Sequence, residues 1–153
     1  MASLAIQQLV RDSDYFQNKL KSIKEQRRAI FSGLPGSSKS AVLAALADAG
    51  FGLFIVTKSL IEAERTRKEI EFFSGKTALI FPAPDILPED DFPPDRQITG
   101  QRLAVLSSLA EKKDLIVIAP LRAVLFKSAA AISGVGKGLK LSADQKIDRE
   151  DLI

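Results

Sequence analysis

The chain contains no cysteine and no histidine. Without them a Cys/His zinc site cannot be built. Cysteine nucleophiles, Ser-His-Asp triads, redox thiols and a disulfide framework are excluded with it. The lack of cysteine fits a reducing compartment. Long apolar runs are missing as well: none approaches the ~20 residues of a membrane span. The N-terminal stretch MASLAIQQLVRDSD has no basic leader followed by an apolar core. A secretory signal is therefore not expected, and the cytoplasm is the expected location. Charge of one sign is scarcely in excess, with 22 basic against 19 acidic residues and a net +3. That is too little to argue nucleic-acid binding by itself. What is present is ordinary: 153 residues, 46 % hydrophobic and 27 % charged. This amounts to about one domain with ample apolar material for a core.

The apolar pattern predicts a helix over residues 4–28, broken near Asp12-Ser13-Asp14. A short apolar run, 29–32 (AIFS), stops at Gly33 and reads as a strand. After the loop GLPGSSKS, residues 41–49 (AVLAALADA) are strongly helical and end at Gly50. The pattern then repeats. FGLFIV (51–56) is strand-like, and Ser59 with Glu62 forms a capping box for a helix that stops at Ser74-Gly75. TALIF (77–81) is the next strand, and a proline-rich loop covers 82–95. A helix over 96–112 and a strand DLIVIA (114–119) follow, and Pro120 fits the first turn of a last helix. Four apolar strands alternating with helices, apolar on both faces, imply an α/β fold with a parallel sheet covered on both sides. Residues 1–127 make up that domain, 128–138 read as a small-residue linker, and 139–153 as the start of a following domain cut short.

One motif carries chemical content. Gly33-Leu34-Pro35-Gly36-Ser37-Ser38-Lys39-Ser40 sits between a predicted strand and a helix, where a phosphate-binding loop belongs. The pattern G-x-x-x-x-G-K-[ST] is met at Gly33, Lys39 and Ser40, but Ser38 stands where glycine should be. The backbone of a working loop wraps phosphates with its N–H groups, and a Cβ at Ser38 crowds that approach. A working ATPase also needs an acid at the end of a neighbouring strand to hold Mg²⁺. The candidate strands end in IVTK, LIFPAP and IVIAP, without one. Gly33, Gly36, Lys39 and Ser40 are therefore candidate cofactor-binding residues of a degenerate phosphate loop that is expected not to function. No catalytic residue and no metal ligand is assigned. On the plainest reading the segment is a tight turn with Lys39 in solvent.

The strings GLPGSSKSAVLAAL, FIVTKSLIEAERTRKEIEFF, FPAPDILPEDDFPPD with ITGQRLAVLSSL, and DLIVIAPLRAVL occur in this order. Together they resemble the N-terminal module of the bacterial transcription-repair coupling factor family (Mfd), which is similar to the start of the excision-nuclease subunit UvrB. The resemblance covers about residues 4–126, and the proline loop followed by Ile98, Arg102 and Leu103 is its most specific part. It departs at Glu89, where many members have an aromatic, and at Pro93, where many have serine. The resemblance implies a RecA-like, helicase-type lobe without competent ATP chemistry. It implies a parent that is a DNA translocase acting on stalled RNA polymerase, with ATP and Mg²⁺ in a motor outside this chain and no cofactor here. It also implies UvrA as a repair partner, contacted mainly by the domain that follows.

Other signals have bland readings. KLKSIKEQRR (19–28) holds five basic residues and one acid, a possible phosphate contact but more simply a solvated helix face. The helix after Ser59 carries mixed charge, with Glu64 and Lys68 paired at i,i+4. Asp85, Glu89, Asp90, Asp91 and Asp95 lack the regular spacing of a cation site. Arg102 is the candidate partner of that loop. Three function classes stay open: a non-catalytic scaffold, an active P-loop NTPase or helicase fragment, and a DNA-binding module using the basic N-terminal helix.

Overall fold

The computed structural model describes residues 2–85 and 95–126. Its elements are α1 (Ala2–Asp12), α2 (Asp14–Gln26), α3 (Ser38–Asp48), β1 (Leu53–Thr57), α4 (Leu60–Ser74), β2 (Ala78–Ile80), α5 (Arg96–Glu111), β3 (Ile116–Pro120) and α6 (Leu121–Leu125). The expected linker 128–138, the segment 139–153, Glu89, Pro93 and most of the proline loop lie outside the described residues.

The protein is mixed α/β, with a parallel sheet of order β1-β3-β2 among the described residues. Leu53 pairs with Ile116 and Ala78 with the same residue from the other side, so β3 is central. The chain crosses from β1 to β2 through α4 and returns to β3 through α5. These connections run in opposite directions, so crossovers of one hand put their helices on opposite faces. The core obeys this. Ile116 and Ile118 pack with Ala44, Ala47, Ala63 and Ile70 of α3 and α4. Val117 and Ala119 pack on the other face with Val105 of α5 and Ala123 of α6. A third cluster joins Phe16 of α2 to Val42, Ala45 and Leu46. Helix α3 is apolar nearly all round because it is enclosed by both clusters.

Local signals place the element ends. At the break between α1 and α2, Ser13 caps α2 by accepting from the Phe16 N–H and donates to the Val10 carbonyl at 2.7 Å. Ser59 caps α4 by accepting from the Glu62 N–H, while the Glu62 carboxylate reaches back to the N–H of Lys58, one residue before the cap. Gly75 ends α4 with φ 67°, a left-handed turn that glycine adopts without a steric penalty. Pro120 is the cap residue of α6 rather than a member of its first turn.

Three expectations are corrected. Residues 29–32 are not a strand: Phe31 packs beside Phe16 while Ile30 points out, 64 % exposed. The backbone of Ser32 is satisfied by one side chain instead of a ladder. The Tyr15 hydroxyl donates to its carbonyl and accepts from its N–H, each at 3.0 Å. The strands are not all covered on both faces. Every residue of β3 is buried, but β1 alternates, with Phe54 and Val56 about half exposed. The Glu64 carboxylate bonds Arg67 at 3.0 Å rather than Lys68, and Arg67 also reaches Glu71 at 3.2 Å. Glu64 accordingly holds the Arg67 guanidinium above its ordinary pKa despite some burial.

Candidate functional site

The segment singled out in the sequence is a turn entering α3. Gly33 and Gly36 both have positive φ, 71° and 56°, so the glycines serve the backbone. Ser37 is the N-cap residue of α3, and Ser38 already belongs to the helix. The Ser38 hydroxyl folds back onto the Pro35 carbonyl at 2.6 Å.

The four candidate residues are brought together, and α4 brings two carboxylates to them. Lys39 stays exposed, as the plain reading has it, and its Nζ donates to Glu62 Oε1 at 2.7 Å. Ser40 is fully buried and donates from Oγ to Glu69 Oε2 at 2.6 Å. Ser37 donates to Glu69 Oε1 at 2.9 Å, and Arg65 Nε reaches the same oxygen at 2.9 Å. An anion placed at a helix N-terminus is favoured by the exposed amide dipoles. At the other end of α3, Lys76 Nζ donates to the Ala47 carbonyl at 2.7 Å and pairs with Asp48 at 3.1 Å. Helix α3 is thus bracketed by acid at its start and base at its end.

The electrostatics follow from these contacts. The hydrogen bond from Lys39 holds the Glu62 carboxyl below its ordinary pKa against a modest opposing effect of burial. Burial pushes Glu69 up, but hydrogen bonds from Ser40, Arg65 and Ser37 outweigh it, and the carboxyl lies below its ordinary pKa. Lys39, Arg65, Glu62 and Glu69 form a neutral set. A phosphate arriving at this turn would meet two carboxylates already facing the lysine and the Ser37 and Ser40 hydroxyls.

Glu62 and Glu69 were missed as site residues in the sequence. Their spacing was a usable signal. Seven residues on a helix are two turns, so both carboxylates face the same way. The strands that flank the turn end in Thr57, Ile80 and Pro120, none acidic. Among the described residues no group of three or more His, Cys, Asp or Glu side chains is placed to hold a metal ion. Of the acidic loop residues, Asp95 caps α5 by accepting from Gln97 N–H and Ile98 N–H, and Asp85 accepts from the Asp95 N–H at 3.2 Å. Glu89, Asp90 and Asp91 lie outside the described residues. Arg102 does meet the loop. It is buried, it donates to the Pro82 carbonyl, and its guanidinium lies 4.1 Å from the Phe81 ring centre. Burial lowers its pKa. On the basic α2, Lys21 pairs loosely with Glu25 at 3.8 Å and Lys19 sits 5.7 Å from the Tyr15 ring centre, both arrangements of a solvated surface. No helix among the described residues is long and apolar enough to cross a membrane.

Comparison with known proteins points one way. Over 115 residues the chain is 25 % identical to the transcription-repair-coupling factor of Staphylococcus aureus strain USA300. The proteins of that name from strains NCTC 8325 and MRSA252 match to the same 25 %. The similar region is 74 % of this chain and 10 % of each relative. The chain therefore corresponds to about a tenth of the length of the curated relatives it matches. No protein-family model matches it, and no solved structure does.

Proposed function

We propose that this chain is a UvrB-like lobe of a transcription-repair coupling factor. Its role is to act as a non-catalytic scaffold that packs against neighbouring domains and helps bring nucleotide-excision repair to stalled RNA polymerase. The likeness to the S. aureus proteins supports the parent. The observation that carries the non-catalytic reading is the double engagement of the phosphate-type turn, Lys39 by Glu62 and Ser37 with Ser40 by Glu69. RecA-like ancestry would account for a turn with glycines, lysine and serine opening a buried helix although its lysine and hydroxyls face carboxylates. In this reading UvrA, RNA polymerase and duplex DNA are partners of the whole parent. ATP and Mg²⁺ act in its motor, and this lobe takes no cofactor.

Isothermal titration of the chain with Mg-ATP tests the reading. No heat of binding is expected up to millimolar nucleotide. Restoring the missing glycine by Ser38→Gly is expected to yield no hydrolysis, because none of the described strands ends in an acid that could hold the metal. Micromolar binding by the unaltered chain, or turnover by Ser38→Gly, would replace the scaffold with an NTPase.

A further inference from the structure

Helix α1 lies against α3 and α4 with its polarity reversed. The one buried side chain among its residues 5–12 is Gln7, 4 % exposed. Leu9 is 73 % exposed and Ile6 41 %. A helix turns about 100° per residue, so Leu9 lies roughly 200° round the axis from Gln7 and Ile6 about 100° from it on the other side. Both fall on the stripe that faces away from the contact. An amphipathic helix ordinarily turns its apolar stripe inward.

Neither polar atom of the Gln7 side chain has a hydrogen-bond partner. Docking α1 therefore strips water from an amide without replacing its bonds, while Leu9 and Ile6, which would favour docking, stay largely wet. The next helix is held differently. Phe16 of α2 is fully buried and packs with Val42, Ala45 and Leu46 of α3. Between the two helices Ser13 is extended, with ψ 136°, and its hydroxyl caps α2. Two hydrogen bonds tie the helices across this break, Ser13 to the Val10 carbonyl at 2.7 Å and Gln17 to the Arg11 carbonyl at 2.6 Å. Both reach only the last turn of α1. A well-anchored α2 is thus joined through a bend to a helix whose buried amide opposes its docking.

We propose that α1 is a releasable arm, which leaves α3 and α4 by opening at Ser13 while α2 and the rest of the fold stay in place. Release returns the Gln7 amide to water and uncovers the surfaces of α3 and α4 beneath the arm. These are the two helices that carry the Lys39–Glu62 and Ser40–Glu69 contacts. The proposal stands whether or not the scaffold reading does.

The test is native-state hydrogen exchange of the ¹⁵N-labelled chain, read amide by amide at urea concentrations below the unfolding transition. A free helix of 11 residues is too short to persist in water, so release exposes its amides to exchange. The amides of Gln8 and Leu9 are expected to exchange at least ~100-fold faster than those of Leu20 in α2 and Ala44 and Ala45 in α3, and with little dependence on urea. Gln7→Leu removes the orphaned amide and should slow Leu9 exchange about tenfold. Leu9→Gln changes an exposed position and should leave the α1 rates within about twofold. Exchange of α1 at the rate and urea dependence of α3, or opening of α2 together with α1, would overturn the proposal. So would α1 rates unchanged by Gln7→Leu, or rates raised about tenfold by Leu9→Gln.

Discussion

Removing the Glu69 carboxylate should destabilise the fold far more than removing a typical surface charge. In Glu69→Ala the fully buried Ser40 hydroxyl loses its acceptor, which costs about 1–3 kcal/mol for an unsatisfied buried group. Loss of the part-buried Ser37 bond adds about 1 kcal/mol. The Arg65 side chain is 67 % exposed, so its pair with Glu69 contributes only ~0.5 kcal/mol. The expected loss is about 3 kcal/mol, or roughly 6–12 °C in Tm for a chain of this size. Thermal and urea unfolding by circular dichroism at neutral pH measures it. The sign with pH is fixed by the direction of the shift. Glu69 is held below its ordinary value of 4.5. Its contribution is complete above that pH and fades as pH falls through the lower folded-state value. The gap between the native chain and Glu69→Ala must therefore narrow on acidification. In a double-mutant cycle, Ser40→Ala should relieve about 1–2 kcal/mol of the Glu69→Ala loss, since the orphaned donor is then gone. A Glu69→Ala loss under about 1 kcal/mol, or strict additivity with Ser40→Ala, would refute the clamp.

Other expectations test separate contacts. Gly52→Ala should lower stability by about 2 kcal/mol or more, since a Cβ there meets the backbone carbonyl of Lys113 and no rotamer change relieves it. Urea unfolding reads this out. Gln7→Leu should raise Tm by a few degrees. Gln7 is only 4 % exposed and both polar atoms of its side chain lack a hydrogen-bond partner, so an apolar replacement of similar size removes a desolvation penalty of about 1–2 kcal/mol. Arg102→Ala should lose about 2–3 kcal/mol, and Arg102→Lys should recover only part of it, because an ammonium cannot both stack flat on Phe81 and reach the Pro82 carbonyl. The same unfolding assay separates the two variants.

Sequence and structure agree where the cause is local. Ser13 breaks the N-terminal helix and Ser59 starts α4 because a hydroxyl accepts an N–H three residues on. Gly75 ends α4 because its φ is positive. The run Ile116–Pro120 is a buried central strand because every residue in it is apolar. The same reasoning failed at 29–32, where an apolar run of strand length found a tyrosine hydroxyl rather than a neighbouring strand. It failed again at β1, an edge strand whose Phe54 and Val56 are about half exposed, because coverage of a strand face is set by what packs on it and not by the strand's own residues. Gly52 carried no local signal, since only the approach of the Lys113 carbonyl requires it.

The sequence by itself determined the alternation of helices and strands, the parallel α/β class and the turn at Gly33–Ser40, because caps, glycines and apolar runs act within a few residues. It also determined that the turn lacks a glycine at Ser38. Only the tertiary structure decided what that turn holds. Its lysine and hydroxyls meet Glu62 and Glu69 across separations of 23, 29 and 32 residues. Pairing of groups that far apart is set by how α4 packs beside α3, through Ala44, Ala47, Ala63 and Ile70 in one apolar cluster. No spacing rule along the chain encodes that packing.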